Sequence, residues 1–111
     1  MMAAIGGVKL KSWLTAPEFF WRARQALQQA KHSPGCSHAI VFPRGDIYFS
    51  LSVWDRPEDM IAYAHSGPHA RLLKVTPRLA HVLYFHHFPC TDIPNPDLAW
   101  QLWRQQGQSA A

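Results

Sequence analysis

The stretch Ile47-Tyr48-Phe49-Ser50-Leu51-Ser52-Val53-Trp54, continuing through Asp55-Arg56-Pro57-Glu58 to Tyr63-Ala64-His65-Ser66-Gly67-Pro68-His69, decides the fold. Its first part reads as a strand. Ile47, Phe49, Leu51 and Val53 share one face at period two, and Tyr48, Ser50, Ser52 and Trp54 share the other. Neither face is simply polar, so the strand is expected to be covered on both sides, the second cover being a pocket or a partner subunit. A helix is expected over Asp55 to Ser66, with an acidic cap, an early proline and Glu58 in the first turn. Gly67-Pro68 closes it.

Working outward, Pro43-Arg44-Gly45-Asp46 is turn chemistry between two apolar runs. Cys36 to Phe42 and Ile47 to Trp54 should therefore pair as an antiparallel hairpin. Upstream, Val8 to Leu14 is the expected first strand. Thr15-Ala16-Pro17-Glu18 reads as a capping box opening a helix with Phe20, Ala23, Leu27 and Ala30 on its apolar stripe. Downstream, His69 to Leu79 reads as a second helical piece limited by Pro77. His81 to Phe88 reads as the last strand. Asn95-Pro96-Asp97 caps a terminal helix to about Gln105, carrying Trp100 and Trp103.

The expected order is β-α-β-β-α-(α)-β-α. Leu14 to Glu18 and Trp54 to Glu58 form a faint repeat, each joining a strand to a helix through a proline. Two βαβ halves make a ferredoxin-like split βαβ fold of the α+β class, a four-stranded antiparallel sheet with helices on one face. The other face would carry apolar groups, so a second chain is expected to cover it.

Composition sets outer bounds. The 111 residues suit one domain, and 48% hydrophobic against 16% charged residues excludes a disordered chain. Five Trp, six Phe and three Tyr imply an apolar interface, read as a homo-oligomer contact. The net charge of +4 is spread without a dense basic run or a recognisable module, so no nucleic-acid partner is expected. No run is long enough to span a bilayer, the amino terminus lacks signal-peptide character, and Cys36 and Cys90 form no CxxC pair. A cytoplasmic protein with no membrane partner is the expectation.

The strand-Trp-helix order of Phe49 to Trp54, Pro57 to Met60 and Tyr63 to His69 resembles the dimeric α/β-barrel superfamily. It resembles in particular the antibiotic-biosynthesis-monooxygenase-like domains, including the spheroidene-monooxygenase-like ones. The resemblance covers roughly Val8 to Phe88 and leaves out the Trp-rich tail. It implies a homodimer with facing sheets and a pocket for a small apolar or aromatic ligand between sheet and helices. The family's members include cofactor-free oxygenases and heme-handling enzymes, so the resemblance leaves the cofactor open between none and heme.

Trp54, Tyr48, Ser50, Ser52, Tyr63 and His65 are the candidate ligand-binding residues, with apolar walls and hydroxyls to orient a flat molecule. Ordinary core and interface packing accounts for the same aromatic groups. His69, His86 and Tyr84 are the candidate acid–base residues. His69 is either a proton donor or axial heme ligand at the pocket mouth, or a packing residue near the sheet edge. His65 suits the end of a helix, where a cation favours the dipole. His65 and His69 are four apart, but Gly67-Pro68 interrupts the helical face that two metal ligands would share, and no metal site is expected. His86 and His87 point to opposite faces of their strand. The main reading is a monooxygenase-like enzyme, and the alternative is a non-catalytic dimer that binds a small ligand or heme.

Overall fold

The computed structural model describes residues 1–110, with side chains to residue 106. The elements run β1 (Met2–Leu10), a 3-10 turn (Trp13–Thr15), α1 (Ala16–Lys31), β2 (Cys36–Arg44), β3 (Ile47–Trp54), α2 (Pro57–Ala64), α3 (Gly67–Leu79), β4 (Ala80–Pro89) and α4 (Pro96–Ala110). The four strands form one antiparallel sheet in the order β2-β3-β1-β4. This is the ferredoxin-like α+β arrangement expected from the sequence.

The hairpin forms where expected. Arg44 pairs with Ile47, and Gly45 between them takes a φ of +62°, a region open mainly to glycine. Pro43 is tolerated because β2 is an edge strand.

The first strand is corrected: it spans Met2–Leu10, not Val8 to Leu14. Ala3 and Ile5 alternate inward beneath the sheet's cover and are fully buried. Gly6 is required there because the ring of Phe85 lies over it. A shift of register between Gly6 and Val8 marks a bulge against β4.

Two expected caps are also corrected. Thr15 does not cap α1, since its own backbone is helical; its hydroxyl donates to the Leu79 carbonyl at 2.9 Å. Glu18 pairs with Arg22 at 2.9 Å and Arg78 at 2.8 Å, which ties the start of α1 to the end of α3. Asp55 does not cap α2 but accepts from the Ser37 hydroxyl at 3.0 Å, joining the ends of β2 and β3. Asn95 does cap α4, its side-chain oxygen accepting from the Leu98 N–H at 2.8 Å.

The buried face of α1 is Phe19, Ala26 and Ala30, with Ala23 and Leu27 beside them, while Phe20 stays 40% exposed. The apolar stripe is thus turned by about one residue from the expected one. α1, α2 and α3 lie on the sheet face of Tyr48 and Trp54. α4 crosses the opposite face, where Ala99 and Trp103 sit on Ile5, Phe49, Leu51 and Val53. Part of the cover expected of a second copy is thus supplied within the chain by α4. Arg44 anchors it, forming an ion pair with Asp97 and stacking on Trp100 at 4.9 Å.

Candidate functional site

The period-two alternation of β3 places Tyr48, Ser50, Ser52 and Trp54 beneath the helices. Trp54 is fully buried, packed with Ala30, Leu27, Met60 and Tyr63. Its indole N–H donates to the Ser52 hydroxyl at 2.9 Å. The Tyr63 ring lies 5.1 Å from Trp54, and the His69 ring lies 4.6 Å from Tyr63. The result is a column of three tilted rings, with interplanar angles of 33° and 44°, at one end of the helix-covered face.

Each member is held by hydrogen bonds. The Tyr63 hydroxyl donates to the Ala26 carbonyl at 3.1 Å, and burial pushes its pKa up to about 12. The His69 N–H donates to Gln29 Oε1 at 2.8 Å, while Gln29 Nε2 donates to the Ser66 carbonyl at 2.8 Å. His69 Nδ1 lies 2.9 Å from the Ala64 carbonyl, an acceptor only, so Nδ1 carries the proton. Burial holds the His69 pKa below its ordinary value, partly offset by that bond, and keeps the ring neutral near pH 7. His65 caps the end of α2 through its backbone N–H and keeps its side chain exposed, outside the column. Burial raises the Cys36 thiol, which removes thiolate character there.

Next to the column the face is open. Ser50 stands in the middle of β3, opposite Val41 on one side and Gly6 on the other, and it is exposed despite its central position. The reason is the placement of the helices: α1 rests chiefly on edge strand β2 and α3 on edge strand β4. Phe85 covers Gly6 yet is 49% exposed. His87 pairs with Ala4 on the same face and is exposed. Tyr48, edge-on to Phe20 at 4.9 Å, closes the far end. The strip between Tyr48 and Trp54 is about 20 Å long at ordinary strand rise.

Tyr84 and His86 occupy the opposite face. Tyr84 stacks on Trp103 at 4.2 Å beneath α4, and His86 stacks on Phe88 at 5.4 Å. The three candidate acid–base residues are therefore divided by the sheet: His69 on one side, Tyr84 and His86 on the other. Of the ligand-binding candidates, Trp54, Ser52 and Tyr63 meet directly, Tyr48 and Ser50 continue the same strip, and His65 stands apart. Sequence reasoning set His87 on the face opposite His86 without making it a candidate, and passed over Phe85 and Gly6. The alternation of β4 already pairs Phe85 with His87, but which face they take depends on the register of the bulge.

Two hollows lie elsewhere. One of about 580 Å³ opens on the outside of α1 beside Trp21, Arg24 and His32, and one of about 140 Å³ lies beside Ser33, Asp59 and Ser66. Neither is lined by Ser50 or His69, so the expected enclosed pocket takes the form of an open strip. Nor do the residues fit heme, because the His69 ring packs at a tilt against Tyr63 and borders neither hollow. Among the described residues, no three His, Cys, Asp or Glu side chains come together as metal ligands.

No protein-family model matches the sequence, and no curated protein matches it. Solved structures do match. A candidate antibiotic biosynthesis monooxygenase from Deinococcus radiodurans superposes with a TM-score of 0.73 at 14% identity, over 86% of this chain and 97% of that one. A candidate antibiotic biosynthesis monooxygenase from Nitrosomonas europaea gives 0.73 at 11% identity, over 83% and 100%. SnoaB, a cofactor-independent oxygenase from Streptomyces nogalater, gives 0.68 at 12% identity, over 83% and 94%. The chain has the fold of the antibiotic-biosynthesis-monooxygenase-like proteins. At these identities the likeness is one of fold, and chemistry must come from the side chains.

Proposed function

We propose that the protein is a small monooxygenase-like enzyme that holds an apolar or aromatic molecule on the Ser50 strip, between the sheet and the helices. The observation that carries this reading is the exposure of Ser50 in the middle of a central strand, within a fold shared with monooxygenase-like structures. Val41 and Phe85 offer apolar contact, Ser50 a hydroxyl that orients, and His87 an imidazole at the margin.

The substrate is an electron-rich ring bearing an acidified CH2 group, with dioxygen as co-substrate. Loss of a proton to the imidazole gives a carbanion that reduces dioxygen and forms a C–O bond. The resulting hydroperoxide breaks its O–O bond and loses the second hydrogen of the same carbon. The ring CH2 and O2 thus become a carbonyl and water. The tyrosine and histidine of the α4 side, Tyr84 and His86, take no part. Two copies associate as a homodimer in this reading, which sedimentation equilibrium measures.

The test is oxygen uptake with a panel of anthrones and polycyclic phenols, alongside quenching of tryptophan fluorescence by the same compounds. The reading expects uptake and quenching, with both lost in Ser50→Phe. Uptake unchanged in Ser50→Phe, or neither signal with any compound, removes it.

A further inference from the structure

The outer side of α1 carries an exposed stripe that neither the core nor the Ser50 strip uses. Trp13 is 81% exposed, Leu14 70% and Trp21 58%. Counted at helical spacing, Trp21 shares one side of α1 with Pro17, Arg24, Gln28, Lys31 and His32, opposite the buried Phe19, Ala26 and Ala30, and Trp13 and Leu14 lie on the 3-10 turn that leads into α1. The first half of the stripe is aromatic and aliphatic, and the second half is basic and amide-bearing. The halves meet at the hollow of about 580 Å³, which Trp21, Arg24, Gln28 and His32 help to line with no acidic side chain, and the Arg22 guanidinium lies over the Trp21 ring at 5.7 Å.

The charge of α1 and α3 is one-sided. Residues 11–33 and 67–79, which hold both helices and the turn before α1, carry seven of the 11 Lys and Arg residues and one of the seven acids, Glu18; α2 in the same layer adds Glu58 and Asp59, the latter beside Ser33 and Pro34 past the end of α1. Glu18 is already engaged by Arg22 and Arg78. Arg24 and Lys31 have no acid within their stripe.

We infer that the outer face of α1, from Trp13 to His32, docks on an anionic lipid bilayer. Trp13, Leu14 and Trp21 enter the interfacial layer, where indole rings are favoured, and Arg24 and Lys31 meet lipid phosphates. The helix lies on the bilayer and does not cross it; no described helix is long and apolar enough to span a membrane. A second copy is the less suitable occupant. Two-fold packing of this stripe on itself would set Arg24 and Lys31 against their own equivalents with no acid between them. This inference does not depend on the oxygenase reading.

The experiment is co-sedimentation of the full chain with vesicles of phosphatidylcholine alone or phosphatidylcholine mixed with phosphatidylglycerol, at low and high salt. The protein should bind the mixed vesicles, prefer them strongly to the neutral ones, and be released as salt rises. The Trp13→Ala/Trp21→Ala and Arg24→Glu/Lys31→Glu variants should each bind about tenfold or more weakly, with circular dichroism and melting unchanged because all four positions are exposed. Equal binding to both vesicle types, or binding to neither, overturns the inference. So does wild-type binding by the double tryptophan variant, which would leave only diffuse charge. Lipid-free self-association that is lost in that variant would assign the stripe to a second copy and also overturn it.

Discussion

The ring of Phe85 lies where a side chain on Gly6 would have to go. The two face each other across β1 and β4, and a Cβ built on Gly6 would come far inside contact distance of the Phe85 ring carbons. Gly6→Ala should therefore force the half-exposed ring outward and destabilise the protein by about 1–3 kcal/mol, as overpacking does. With Phe85→Ala in the same chain, the loss should be smaller than the sum of the single losses. Thermal or urea unfolding of the four-member cycle measures the coupling.

Trp103 holds α4 to the sheet by three contacts. It meets Phe49 edge-on at 4.7 Å, stacks on Tyr84, and donates its indole N–H to the Tyr84 carbonyl at 2.8 Å. Trp103→Ala should cost about 3–5 kcal/mol and increase binding of a hydrophobic dye at the uncovered aliphatic face. Urea unfolding and dye fluorescence report the two effects. A chain ending after Cys90 should show the dye signal even where the sheet persists.

His69 sets a pH dependence. Its folded-state pKa lies below the ordinary 6.5, chiefly through burial. Between the two values the unfolded chain binds more protons, so stability rises with pH through that window. Stability should fall as pH drops below about 6.5 and level off beneath the folded pKa. The His69→Gln variant should show a flatter profile, read from urea midpoints across the same range.

Ser50→Phe separates the strip from the fold. An exposed strand position accepts an aromatic residue within about 0.5 kcal/mol. The melting temperature should hold while ligand-induced quenching disappears, so the strip loses its occupant without loss of structure.

The order of elements was legible because strand alternation and proline-marked helix starts are local signals. The Ile47 to Trp54 strand and its hairpin follow from the period of their side chains and from Gly45-Asp46. The Trp54–Tyr63–His69 column draws on β3, α2 and the first turn of α3, all within that same stretch. What stayed hidden depends on distant partners. Met2 to Gly7 looks too weak for a strand until β3 and β4 flank it. Thr15 and Asp55 look like caps, but their oxygens are spent on Leu79 and Ser37. The division of His69 from Tyr84 and His86 follows from which face each strand presents, and no single segment records that. The openness at Ser50 comes from helices seated over the edge strands, a tertiary placement with no local signature.

The position of α4 at the end of the element order has a consequence for folding. The sheet is built from Met2 to Pro89, and the helix that covers its aliphatic face begins at Pro96. A folding intermediate whose strands have paired before α4 docks therefore presents Ile5, Phe49, Leu51 and Val53 as an unshielded surface. Until Ala99 and Trp103 settle on that surface, chaperone capture or mispairing with another chain competes with correct closure.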